Sequence, residues 1–310
     1  MQLLDKVPTI DWVRHMRPAL VLSAIVVATS VGSLVVRGLN FGLDFTGGVL
    51  LEVSYGGPVE LDEVRATLEE AGYTDTQVQT FGTASDVLIR LPPVENAEES
   101  TQLGNAVMSA LRAKDSSVQL RRNEFIGPQV GEDLAEQGAL AMLFAAIMIF
   151  AYVMLRFRWK FSVGAIAALV HDIVITVGFF SWFGLTVDLS ALAAILAVIG
   201  YSLNDTVVIY DRIRENFRAM RRSTTAEIVN ASLNQTLART LITGPTSLLV
   251  LFALLFLGGE TLYAFSIALI VGILVGTYSS IYIGGASVLH LNVTPADMLP
   301  PKREEVDALP

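Results

Sequence analysis

The chain has 310 residues, 53% of them hydrophobic and 16% charged, with a formal net charge of −9 and no cysteine. A soluble domain carries about 25% charged residues, so the apolar excess belongs against lipid, and the missing cysteines exclude disulfides and thiolate-bound metal. Residues 37–136 hold 17 acids and 7 bases, a net of −10 against +1 for the rest, and without a clustered basic surface there nucleic acid is not an expected partner.

Six stretches approach the roughly 20 apolar residues needed to cross about 30 Å of hydrocarbon: 19–36, 138–155, 161–183, 189–210, 241–257 and 262–288. The first is too long for a signal peptide, and no small-residue cleavage site precedes Arg37, so it reads as a retained anchor. Basic residues set the orientation. Lys6, Arg14 and Arg17 precede the first span, Arg156, Arg158 and Lys160 follow the second, and Arg212, Arg214, Arg218, Arg221 and Arg222 follow the fourth. The turns at 184–188 and 258–260 hold none. The expected arrangement has residues 1–18, a loop at about 212–238 and a tail at 290–310 in the cytoplasm, with 37–136 exported.

The exported region opens on Gly42, Asp44, Phe45, Thr46, Gly47 and Gly48. A phosphate-loop reading fails, because the run lacks the Lys-Ser/Thr ending and follows a membrane span rather than a strand. The glycines are read instead as allowing tight turns where the chain enters a sheet. A strand at 49–55 follows, then a helix introduced by Pro58, with Leu61, Val64, Leu68 and Ala71 on one face and Gly72 as its stop. Strands at 76–81 and 86–91, a helix at about 100–113 and a strand at 117–122 complete a β-α-β-β-α-β order. The expected fold class is a six-helix membrane bundle with one ferredoxin-like α+β domain between helices 1 and 2.

Within the fourth span lie Tyr201, Ser202, Asn204, Asp205 and Thr206. An aspartate at the centre of a spanning helix costs about 2.5–3.5 kcal/mol on insertion scales, so it faces a partner or a polar cavity. Tyr201 and Ser202 precede Asp205 by four and three residues and share its face, a candidate wall of a polar path. Asp205 lies about 8 Å from the cytoplasmic end of the span at 1.5 Å per residue. Arg239 lies just before or within the first turn of the fifth span, at about the depth of Asp205, where pairing with Asp205 or snorkelling to the headgroups is open to it. A contact that forms and breaks would make Asp205 take up and release a proton. His171 and Asp172, near the middle of the third span, either extend a proton route or form a polar pair satisfied by a neighbouring helix. Metal is not expected: His15, His171 and His290 are far apart and in no ligand spacing. Gly272 and Gly276 in the sixth span allow close packing, within the bundle or against another subunit.

Five runs, FGLDFTGGVLLEV at 41–53, LVHDIVIT at 169–176, AVIGYSLNDTVVIYDRIREN at 197–216, NQTLARTLIT at 234–243 and VGTYSSIYI at 275–283, resemble the SecF branch of the bacterial SecD/SecF protein-export family. The resemblance spans most of the chain, apart from about twenty residues at each end. It implies a resistance-nodulation-division-like assembly with SecD, in which two six-span halves make a twelve-span unit beside the SecYEG channel, with YajC as a further candidate partner. It also implies a bacterial inner-membrane location, use of the proton-motive force on a translocating preprotein, and no enzymatic activity or cofactor. The family's membrane aspartate and fifth-span arginine fall on Asp205 and Arg239. Rival readings are a small-solute or lipid exporter of the same superfamily, a scaffold in which Asp205 is structural, and an aspartyl protease with Asp172 and Asp205 as its dyad.

Overall fold

The computed structural model describes residues 9–259 and 262–294; Lys6, Glu260 and the expected tail beyond residue 294 lie outside them. Among the described residues, six helices are long and apolar enough to cross a membrane. The first is α1 (Trp12–Arg37), capped by Asp11, whose side chain accepts from the Arg14 amide. Between it and the second come β1 (Asn40–Phe41), the single turn α2 (Leu43–Thr46), β2 (Gly48–Ser54), α3 (Leu61–Glu70), β3 (Gln77–Phe81), β4 (Thr83–Leu91), α4 (Ala97–Lys114) and β5 (Gln119–Ile126). Then follow α5 (Pro128–Arg156), α6 (Trp159–Phe183), β6 (Thr186–Val187), α7 (Leu189–Ala219) and α8 (Thr225–Leu257). The sixth span combines α9 (Tyr263–Ser279), a π-helical turn at Ser280–Gly284 and α10 (Gly285–His290).

The expected loop at 212–238 is instead mostly helix. α7 continues to Ala219, and α8 starts at Thr225 with a complete capping box between Thr224 and Glu227, leaving a five-residue connection at 220–224. Arginines at 212, 214 and 218 end the hydropathy signal, but Ile213, Phe217, Ile228, Val229 and Leu233 keep the helical period and bury into one apolar cluster with Phe157, Phe161 and Val288. A second cluster, with Phe180, Ala191, Ala194, Val198, Leu251, Ala268 and Ile273, fills the other end of the bundle.

In the α+β domain the four strands run in the order β3-β4-β2-β5, every adjacent pair antiparallel. Alternate residues Val49, Leu51, Val53, Val87, Ile89 and Leu91 meet Val64, Leu68, Val107, Met108 and Leu111 of α3 and α4 in one core. The element order matches the sequence reading, with shifted limits: α3 begins at Leu61 rather than at Pro58, β4 starts at Thr83, and β5 reaches Ile126. Gly72, at φ +92°, supplies the left-handed residue after α3.

Small residues set the helix spacing in the bundle. A methyl group built on Gly272 would overlap the Val198 methyls, and one on Gly276 would lie 3.1 Å from the Ser202 Cβ. The glycine spacing therefore packs α9 against α7 of the same chain. We expect Gly272→Val to lower the unfolding temperature in detergent, with an overpacking cost of about 1–3 kcal/mol. Gly200→Ala, with nothing within 4 Å of the added carbon, should not.

A separate prediction concerns the domain. Asp86, on β4, is buried; the Ser54 hydroxyl beside it, the Thr83 hydroxyl at 2.6 Å and Arg121 at 3.6 Å hold its carboxyl below the usual carboxylate range. A depressed folded pKa stabilises the fold above the unfolded value of about 3.9, and that contribution is lost as pH falls through the folded value. Amide exchange of the β3–β4 hairpin should therefore be faster in Asp86→Asn than in wild type at pH 7, with the difference shrinking as the pH is lowered below about 4.

Candidate functional site

Between the two apolar clusters of the bundle runs a polar layer, built where α7 meets α6 and the sixth span. Asp205 stands sixteen residues after Leu189 and fourteen before Ala219, close to the middle of α7. It is 4% exposed, and its Oδ2 is buried with no hydrogen-bond partner. The Tyr201 hydroxyl, one turn earlier, is likewise buried and unpartnered.

Asp172 is the opposite case. It is fully buried, yet its Oδ2 accepts from the Ser202 hydroxyl at 2.5 Å and the Ser279 hydroxyl at 2.7 Å, while Oδ1 lies 2.9 Å from His171 Nδ1. Donors from α6, α7 and α9 thus converge on one carboxylate, the satisfaction that a buried charge requires. His171 keeps Nε2 buried without a partner and stacks its ring on Tyr278 at 6.3 Å. With both Asp172 oxygens occupied by His171, Ser202 and Ser279, no Asp172–Asp205 hydrogen bond forms, and the proton-sharing dyad of the protease reading is missing.

The layer continues along α7. Thr206 Oγ1 is 2.9 Å from Ser280 Oγ, and the Tyr210 hydroxyl reaches the Gly284 carbonyl at 3.2 Å and Ser287 Oγ at 3.0 Å. These partners flank or belong to the π-helical turn, a local widening of the helix that recurs at functional sites. Asn204 points away from the layer and is exposed. Ser279, Ser280, Tyr210 and Ser287 were not singled out from sequence. Consecutive serines inside an apolar span, three residues beyond Gly276, were the available signal.

Arg239, on α8, is exposed and forms no ion pair with Asp205, whose Oδ2 is left without a partner. Asn234, five residues earlier, clamps the start of the chain: its Oδ1 accepts from the Ile10 amide at 3.0 Å and Trp12 Nε1 at 3.2 Å, and its Nδ2 donates to the Ile10 carbonyl at 2.8 Å.

The segment leading into the sheet is a knot of backbone contacts. Gly42 N–H donates to the Val187 carbonyl at 2.7 Å, continuing the parallel pairing of β1 with β6. Asp44 Oδ2 accepts from the Leu189 amide at 2.9 Å, and Thr46 Oγ1 donates to the Gly42 carbonyl at 3.2 Å. Phe45 packs edge-on to Phe41, with ring centroids 6.1 Å apart. Gly47 and Gly48 adopt φ of +63° and +123°, and a methyl group on Gly131 of α5 would come within 2.7 Å of the Gly47 nitrogen. The glycines serve turning and close approach, as their sequence setting implied.

The family described as protein export membrane protein SecD/SecF, C-terminal, matches residues 106–294, and the SecD/SecF GG motif matches residues 32–59. The chain is 48% identical over 308 residues to the protein translocase subunit SecF of Pseudomonas aeruginosa, covering 98% of this chain and 99% of that one. To the protein translocase subunit SecF of Vibrio alginolyticus it is 46% identical over 308 residues, with coverages of 99% and 98%. Among solved structures, a Thermus SecDF, described as a translocon-associated membrane protein, superposes with a TM-score of 0.84 at 37% identity over 94% of this chain. A SecDF in a super-membrane-facing form superposes at 0.69, with the same identity. This chain spans 40% of the length of either SecDF chain. With six apolar helices, relatives matched over nearly their whole length and both family signatures in place, the chain belongs to the SecD/SecF family of protein-export membrane proteins, within its SecF branch.

Proposed function

We propose that this inner-membrane protein works with SecD beside the SecYEG channel, using the proton-motive force at Asp205 to assist preprotein export. It is an accessory translocase subunit, not an enzyme. The α+β domain lies outside the membrane, as a ferredoxin-like fold in which all four strands are antiparallel in the order β3-β4-β2-β5, and both termini face the cytoplasm, as the basic residues of the short loops imply. The observation that carries the reading is the contrast between two buried carboxylates in adjacent helices. Asp172 is saturated with donors, whereas Asp205 has an oxygen with no partner.

In hydrocarbon an unsatisfied ionised carboxylate is costly, so taking up a proton relieves it, and bringing Arg239 closer would restore the charge. One charge crossing the field is worth about 2.3 kcal/mol per 100 mV, enough to bias a two-state equilibrium about fiftyfold. The alternation would repack α7 against α8 and tilt the external domain, which holds or releases the emerging chain. Unequal superposition on two SecDF structures at the same identity supports a body with more than one arrangement.

Asp205→Asn, with SecD present, should lose the stimulation of export by an imposed proton gradient in inverted membrane vesicles. Normal stimulation would overturn the proton-coupled reading. Crosslinking of the external domain to a translocating polypeptide separates this function from small-solute export.

Asp172 is assigned the fixed role of holding α7 and α9 on α6. Ser202→Ala and Ser279→Ala each remove one of its donors, at a cost of about 0.6–1.7 kcal/mol, the range for hydrogen bonds between membrane helices. Both variants should unfold earlier in detergent while keeping a gradient-dependent export step.

A further inference from the structure

We propose that Asp44 is the positioning residue that transmits movement of α7 to the α+β domain, an inference that rests on the proton-coupled reading of Asp205. α7 carries Asp205 in its middle, and its first residue, Leu189, lies about 24 Å away at 1.5 Å per residue. At that end the helix has two carboxylate caps of different origin. Asp188, from its own turn, accepts from the Ala191 amide at 2.7 Å. Asp44, from the segment leading into the sheet, accepts from the Leu189 amide at 2.9 Å. A carboxylate on the positive end of a helix is held by both the hydrogen bond and the dipole, so Asp44 follows that end when it shifts.

The domain grips the same segment from the other side. Arg90 of β4 donates through Nη1 to the Phe41 carbonyl at 2.7 Å, three residues before Asp44. Gly48 runs directly into β2, and its φ of +123° with the Leu91 carbonyl close by leaves no room for a side chain. Asp44 therefore caps a helix terminus in the bundle from a segment whose Phe41 carbonyl is held by a guanidinium on the sheet and whose Gly42 amide is tied to Val187. A displacement of α7 has a short route into the domain: Leu189, Asp44, the Gly42–Gly48 turn, and then β2 together with Arg90 on β4. An interaction that merely closed the turn would not need a carboxylate reaching across from the domain, since Asp188 and the β1–β6 pairing already cap and fasten that end.

The chain has no cysteine, so two introduced cysteines report one distance. Spin labels at Asn105→Cys on α4 and Leu257→Cys at the end of α8, both exposed positions, are read in the complex with SecD in liposomes. The distance distribution should differ between the otherwise unaltered protein and its Asp205→Asn form, which mimics the neutral carboxyl. In an Asp44→Ala background that difference should vanish. In Asp44→Asn, whose amide oxygen still caps the helix, at least half of it should remain. A difference that survives intact in Asp44→Ala overturns the joint alone. A difference missing even with Asp44 present overturns the proton-coupled reading and the joint with it. If Asp44→Ala does not assemble with SecD, Arg90→Gln takes its place: a difference reduced by half or more is expected, and an unchanged one overturns the proposal.

Discussion

Two carboxyl groups lie in the middle of the bundle, where an isolated charge costs about 2.5–3.5 kcal/mol on insertion scales, and the surrounding helices answer that cost in two ways. Asp172 receives hydroxyls from α7 and α9 and a ring nitrogen from its own helix, so both its oxygens are satisfied in place. Asp205 receives nothing at Oδ2, and Arg239 on α8 forms no ion pair with it. The first arrangement makes a rigid seam of α6, α7 and α9. The second leaves a buried carboxylate oxygen without a partner.

The rest of the bundle depends on that seam being thin. Gly272 and Gly276 let α9 approach so closely that Val198 and Ser202 occupy the space a side chain would take, which brings Ser279 within reach of Asp172 and Ser280 within reach of Thr206. The π-helical turn then offsets the end of the sixth span so that Gly284 and Ser287 face Tyr210. Apolar clusters on either side of the polar layer confine it to a short stretch of the bundle. Most other exposed apolar surface lies on α1, α5 and α8, the faces available to lipid or to a second subunit.

Much of this architecture follows from the amino-acid sequence. Runs of about twenty apolar residues give spans because the backbone must satisfy itself inside lipid, and all six appear as helices. Period-2 and period-3.6 patterns placed each strand and helix of the domain in the right order, with end errors at α3, β4 and β5, where Pro58 and the hydrophilic outer strand blur the boundaries. Asp205 was conspicuous because it breaks an apolar run. The length of α7 was not, because its last turns carry arginines that look like a loop to hydropathy while burying Ile213 and Phe217 on the other side.

Local composition therefore fixes the class of each segment and the cost of each polar residue within it. Which polar groups meet is set by how the helices fold together. Asp172 and Asp205 are equally anomalous in sequence, and their difference comes from Ser202 and Ser279, thirty and 107 residues from Asp172 along the chain. Asp44 reads as part of a glycine turn until Leu189, 145 residues later, supplies the amide it caps. Pairing across such separations is set by how closely helices approach, and a local pattern carries no record of that distance.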